Sequence, residues 1–116
     1  MPQNGDLTFQ EFQVLNARRC REVFRHTVDW PIQNWALAIA GESGELCNLI
    51  KKIIRGDFTL AEKRPEILAE LADIITYCDL AISHLQGDTD SVLMNKFDLV
   101  SARVNWTRPR VSGDCF

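Results

Sequence analysis

The chain is expected to be all-α, with four helices that pack as a bundle or complete one by pairing with further copies. Three observations point there. Apolar residues recur at alternating spacings of three and four through most of the sequence. No segment alternates apolar and polar residues over a convincing strand length, and neither an internal repeat nor a low-complexity tract is present. The 116 residues, 46% hydrophobic and 25% charged, suffice for one domain with its own core.

Residues 1–6 are polar, contain Pro2 and Gly5, and are read as a loose N-terminus. Thr8 and Glu11 fit a capping box, with Leu7 and Phe12 as its hydrophobic staple, so a first helix is expected from Phe9 to Arg25. Phe9, Phe12, Leu15, Cys20, Val23 and Phe24 supply its apolar faces. Arg18, Arg21 and Arg25 share the other side and read as a solvated face, with phosphate contact as the alternative. The pattern breaks from His26 to Pro31, and Pro31 in the first turn opens a second helix. The inward track of that helix is Ile32, Trp35, Ile39, Glu42, Leu46, Leu49 and Ile53. Gly44 lies mid-helix, where a glycine normally admits something close to the backbone. Lys51, Lys52 and Arg55 suit the negative end of the helix dipole, and Gly56 is a natural stop.

Gly56 to Arg64 reads as a polar connection, after which Pro65 opens a third helix that runs to Gln86, with Gly87 as terminator. Leu68, Leu71, Ile75, Cys78, Ile82 and Leu85 form its apolar stripe, and Glu70, Asp73, Tyr77 and His84 form a second stripe beside it. Asp88 or Thr89 caps a fourth helix, Asp90 to Val104, with Leu93, Phe97, Val100 and Val104 inward and Lys96 and Arg103 sharing a face. The tail from Asn105, with Pro109 and Gly113, is expected to be irregular. The domain proper is thus placed at residues 7–106, with 107–116 as a C-terminal tail.

Composition removes several function classes. A net charge of −3 is the wrong sign for a bulk binder of nucleic-acid polymers or membranes. No secretory signal and no apolar run near membrane-spanning length is found, which predicts a cytoplasmic protein. Cys20, Cys47, Cys78 and Cys115 form no C-x-x-C, and two of them fall in apolar helical patterns as buried thiols of a reducing compartment. With His26 and His84 far apart as well, zinc is disfavoured. No Glu-x-x-His occurs, which argues against a redox di-iron bundle.

Two pairs of acids carry the chemistry. Glu42 and Glu45 are three residues apart on the second helix, and Glu70 and Asp73 are three apart on the third. That spacing turns both members of a pair to one helix face. Glu42 is the stronger signal, because it occupies a core slot of an apolar track, where a lone carboxylate needs a partner, a proton or a metal. Two like charges about 6 Å apart repel by roughly 3 kcal/mol at an effective dielectric near 20. A divalent cation reverses that sign. Without one, some carboxyls must hold protons. An all-oxygen ligand set fits Mg2+, with Mn2+ as the other candidate. Trp30, Trp35 and His26, near the start of the second helix, are candidates to stack on a base or to form a core cluster.

Glu42-x-x-Glu45, a 24-residue gap and Glu70-x-x-Asp73 together resemble the metal motif of the MazG-like, all-α nucleoside triphosphate pyrophosphohydrolases. The text Ala40-Gly41-Glu42-Ser43-Gly44-Glu45-Leu46 and Glu70-Leu71-Ala72-Asp73-Ile74 is similar to the single-domain branch that includes the dCTP pyrophosphatases, and Asn95-Lys96-Phe97-Asp98 resembles the family's later basic motif. The resemblance covers residues 7–106. It implies a Mg2+-dependent enzyme that splits a (d)NTP between the α and β phosphates into a monophosphate and pyrophosphate. It also implies a homodimer or homotetramer with sites at or near subunit interfaces. In its terms Glu42, Glu45, Glu70 and Asp73 are the metal ligands and catalytic acids. Lys96, with Arg103, neutralises phosphate charge, and Tyr77 and Asn95 lie by the nucleotide, where Trp30 and His26 are the stacking candidates read from their position. Lys52 departs from the pattern: it stands where the branch carries an aromatic residue, which exchanges a base contact for a phosphate contact. The competing expectation is a non-catalytic helical module that binds a partner through an acidic groove.

Overall fold

A computed structural model describes residues 6–109. Four helices follow one another: α1 (Phe9–Val23), α2 (Ile32–Arg55), α3 (Leu60–His84) and α4 (Thr89–Arg103), with a 3-10 turn at Arg25–Thr27 between α1 and α2. No strand occurs among the described residues, so the fold is all-α as expected. The expectations for residues 1–5 and 110–116, including Cys115 and Gly113, lie outside the described residues.

The caps explain where each helix starts. Thr8 and Glu11 close the capping box of α1, with the Glu11 amide donating to Thr8 Oγ1 at 3.1 Å. The helix ends at Val23, two residues before the expected Arg25. The Phe24 carbonyl is claimed by the Thr27 amide at 2.9 Å and the Thr27 hydroxyl at 2.8 Å, which tightens the chain into the 3-10 turn. Pro31 is the N-cap of α2, just ahead of the first turn in which it was expected. Gly56 ends α2 in the left-handed region at φ 94°, which a side chain would resist.

α3 corrects the sequence reading most. It begins at Leu60, well before Pro65, because Thr59 and Glu62 form a second capping box: the Glu62 amide donates to Thr59 Oγ1 at 3.1 Å and Glu62 Oε1 accepts from the Thr59 amide at 3.0 Å. Pro65 therefore sits inside the helix, where it removes one backbone donor near the start. At the far end Gln86, not Gly87, takes the positive φ of 62°. Gly87 is needed for space instead, since a Cβ there would meet Ile82 Cγ2 at 3.0 Å and the Ile82 carbonyl oxygen at 3.3 Å. Asp88 caps α4 through the Ser91 amide at 3.0 Å. After Arg103 the chain folds back along α4: Trp106 meets Phe97 edge-on at 5.7 Å, and Arg108 reaches Asp98 at 3.4 Å.

α2 and α3 form a long antiparallel hairpin. α1 lies on α3, and α4 touches α1 and α3, while neither α1 nor α4 brings its backbone close to α2. One chain therefore does not close a bundle. Its radius of gyration is 17.3 Å, against about 13 Å for a compact domain near 100 residues. Trp35, 4% exposed, is the one large apolar side chain buried among the described residues. Of the expected α3 stripe, Leu68, Leu71 and Ile75, with Leu85 just past the helix end, are exposed while Cys78 and Ile82 are half-buried, and the expected inward face of α4 (Leu93, Phe97, Val100, Val104) is exposed too. Cys20 and Cys78 are half-buried rather than buried, and Cys47 is exposed; all three are free thiols.

Polar side chains hold the junction of α1, α3 and α4. Asp79 on α3 is 2% exposed, and its carboxylate accepts from Asn16 Nδ2 at 2.9 Å and from the Thr89 hydroxyl at 2.5 Å. Asn16 Nδ2 also donates to the Thr76 carbonyl at 3.0 Å. One turn earlier on α1, Gln13 Nε2 donates to Ser83 Oγ at 2.8 Å and to the Gly87 carbonyl at 2.9 Å, and Gln13 Oε1 accepts from the Thr89 amide at 3.0 Å. Every polar atom of the Asp79 carboxylate is thus matched, as burial in a low-dielectric interior requires.

Candidate functional site

The inward track of α2 faces α3, and Glu42 occupies it among half-buried Ile39, Leu46, Leu49 and Ile53. Glu45 follows three residues on, and Glu70 comes from the facing side of α3. One carboxylate oxygen from each of the three lies within 4.8 Å of the others. Glu42 Oε2 and Glu70 Oε2 are sealed from solvent and have no hydrogen-bond partner. None of the ion pairs among the described residues involves Glu42, Glu45, Glu70 or Asp73. The negative charge is therefore left to the cluster itself.

The electrostatic result is a weakening of two of the acids. Loss of water around Glu70, then the charge of Glu45 and the adjoining Glu42 carboxyl, push its carboxyl from 4.5 up to about 7. Glu42 is raised too, by burial first and by the charge of Glu45 next, with Asp73 adding to it. Asp73 is exposed, one turn beyond Glu70. It is not among the three acids that converge within 4.8 Å, but it shares a cavity wall with Glu42.

That cavity, about 230 Å³, opens beside the acids. Glu42 and Asp73 stand in its wall with Trp30, Trp35, Tyr77, Phe24, His26 and Arg19. The aromatic rings run in series. His26 and Trp30 are 5.9 Å apart, Trp30 and Trp35 4.9 Å, and Trp35 and His84 6.0 Å between ring centres. Trp30, Tyr77 and His26 are thus gathered at one place, next to the acids. Lys52 is half-buried two turns beyond Glu45 and walls none of the cavities described. Asn95, Lys96 and Arg103 are exposed on α4, whose backbone does not approach α2.

No family model, curated protein or solved structure matches the chain. The geometry of its own residues has to carry the functional reading.

Asn16 and Arg19 stand in the cavity wall without having been singled out from the sequence. Asn16 is buried on the inward side of α1, where a short amide among apolar neighbours was the available signal. Arg19 adjoins Arg18 in sequence, but points the cavity's way rather than with the stripe of Arg18, Arg21 and Arg25. Gly44, expected to admit a close approach, has nothing of its own chain within 4 Å of a Cβ, and neither has Gly41.

Proposed function

We propose that the chain is a metal-dependent nucleoside triphosphate pyrophosphohydrolase, cleaving a (d)NTP between the α and β phosphates. One observation carries the reading: three carboxylates from two helices converge, two of their oxygens are sealed and unmatched, and an aromatic cavity adjoins them. The resemblance of Glu42-x-x-Glu45 and Glu70-x-x-Asp73 to the MazG-like motif supports it.

The donor set fits a hard divalent ion, because unmatched carboxylate oxygens are the ligands such ions take. Glu42, Glu45 and Glu70, with Asp73 beside them, would hold Mg2+ or Mn2+. Bound there, the ion would supply charge neutralisation for phosphate oxygens and acidify a water. The chain's own residues do the rest. Any proton held by Glu70, whose carboxyl is raised to about 7, would be given up when that carboxylate serves as a ligand. One acid of the set, Glu45 for example, would take the proton from an attacking water. Trp30, Tyr77 and His26 offer flat faces to a base, and burial of Trp35 beneath them keeps the aromatic end dry.

The exposed stripes of α3 and α4 and the bare glycines of α2 support assembly with a second copy, in which Lys96 and Arg103 reach a site in trans. Sedimentation should then give a dimer or tetramer. The decisive assay measures products: Mg2+-dependent release of pyrophosphate, not orthophosphate, from at least one (d)NTP, abolished in Glu42→Gln and Asp73→Asn. Full activity in either variant overturns the site assignment. The same exposed apolar stripes favour a second reading, a non-catalytic module that binds a partner beside an acidic groove. Such a module would show no turnover and no thermal stabilisation by Mg2+.

A further inference from the structure

A second cavity, about 230 Å³, shares Trp35, Cys20 and Thr27 with the wall of the first. Its charge is the reverse. Glu42 and Asp73 stand in the first wall, whereas no carboxylate lines the second among the described residues. Arg21 of α1 and Ser83 and His84 of α3 stand there instead.

All three have donors to give. Arg21 enters no ion pair among the described residues, and the acid next to it in sequence, Glu22, is held by Arg18 at 2.9 Å. Beside the Asn16–Asp79 clasp, Gln13 Nε2 donates to Ser83 Oγ at 2.8 Å, so that hydroxyl already accepts and keeps its own hydrogen to give. His84 lies against Trp35, 6.0 Å between ring centres and tilted by 41°, and offers an N–H in either tautomer. The remaining polar groups are occupied. The Thr27 hydroxyl donates to the Phe24 carbonyl at 2.8 Å, so the Cys20 thiol donates to Thr27 Oγ1 at 3.0 Å.

Cations near the last turn of a helix often serve its free carbonyls. Backbone amides take those of α3. The Leu85 amide donates to the Ala81 carbonyl at 3.1 Å, the Gln86 amide to the Ser83 carbonyl at 2.9 Å and the Gly87 amide to the Ile82 carbonyl at 2.8 Å. A guanidinium, an imidazole and a hydroxyl facing no acid suit an oxyanion, which takes charge-assisted hydrogen bonds from all three. We propose that this cavity binds a small oxyanion of the phosphate class, with Arg21 as its charged anchor and Ser83 and His84 as further donors. The space is large against the ~30 Å³ of one water, so the anion enters with part of its hydration. In metal-free protein Glu42 and Asp73 repel the same anion from the first cavity. The site stands whether or not the acidic centre is a hydrolase.

Calorimetric titration of inorganic phosphate into metal-free protein tests it, with sodium chloride at matched ionic strength as the control for screening. The wild type should bind one phosphate per chain. Arg21→Gln should weaken binding about tenfold, the scale of one charge-assisted hydrogen bond, and His84→Gln by less. Arg19→Gln, in the wall of the first cavity, should leave it unchanged. Methyl phosphate in a parallel arm separates a free anion, which then binds the tighter, from one carried on a larger molecule; both results uphold the site. A wild type indifferent to phosphate overturns the proposal. So does equal binding by Arg21→Gln, or a loss in Arg19→Gln as large as in Arg21→Gln. Arg21 is exposed on α1, so its replacement should leave the helical circular dichroism intact. Should it not, His84→Gln decides, and unchanged binding there overturns the proposal.

Discussion

The chain buries acid in two places and treats it in opposite ways. At the junction of α1, α3 and α4, Asp79 is 2% exposed and both its oxygens accept hydrogen bonds, from Asn16 and Thr89. Between α2 and α3, Glu42 and Glu70 each carry a sealed oxygen with no partner. A satisfied buried carboxylate rigidifies what surrounds it. An unsatisfied set costs stability and persists where something outside the chain completes it. The contrast separates a satisfied acid from unsatisfied ones more sharply than burial alone would, since Asp79 is the more buried.

The comparison can be broken most directly at the acids. Glu42→Gln should reduce pyrophosphate release by roughly a thousandfold, the scale of losing one key electrostatic group in a site. The circular dichroism melt of that variant should be no lower than wild type without metal, because a repelling charge has gone. Addition of Mg2+ should stabilise the wild type by about 2.7 kcal/mol when the ion is a hundredfold above its dissociation constant. Glu70→Gln should lose most of that response, while Asp79→Asn should keep it. Asp79→Asn should instead lower stability by about 1–3 kcal/mol with or without Mg2+, since an amide offers only one acceptor, uncharged, where the carboxylate accepts from both Asn16 and Thr89. Denaturant unfolding separates these outcomes.

The smallest expected effect is with pH. The Glu70 carboxyl is raised from 4.5 to about 7 in the folded chain, so the folded state holds its proton more tightly than the unfolded state. Its contribution is fully present below 4.5 and is lost as pH rises through about 7. Metal-free protein should therefore melt at progressively lower temperature across that window, and Glu70→Gln should flatten the slope. A slope unchanged in Glu70→Gln would assign the effect to another group.

What could be read without coordinates follows from what spacing encodes. The acid pairs were legible because a three-residue interval places side chains on one face whatever lies opposite. Both ends of α2 were close to their expected places because Pro31 and Gly56 are local signals. The start of α3 was missed because Pro65 outweighed the capping box of Thr59 and Glu62, an equally local signal. The clasp was illegible for a different reason. Asn16 and Asp79 are 63 residues apart, and periodicity says which way a residue points but not what it meets. The same limit explains the exposed stripes, for an apolar face predicts a partner surface without saying whether the same chain supplies it.

The short link between α2 and α3 works as a ruler. Glu45 lies 11 residues before Gly56, and Glu70 lies 11 residues after Thr59. At about 1.5 Å per residue, each acid stands roughly 16 Å from its own end of the turn, so the two arrive level. Glu42 and Asp73 repeat the match one turn higher, at 14 residues each. A single residue inserted into either arm would swing its acids by about 100° and lift them out of step. The left-handed glycine and the threonine cap, remote from any chemistry, thereby hold the calibration of the whole acidic centre.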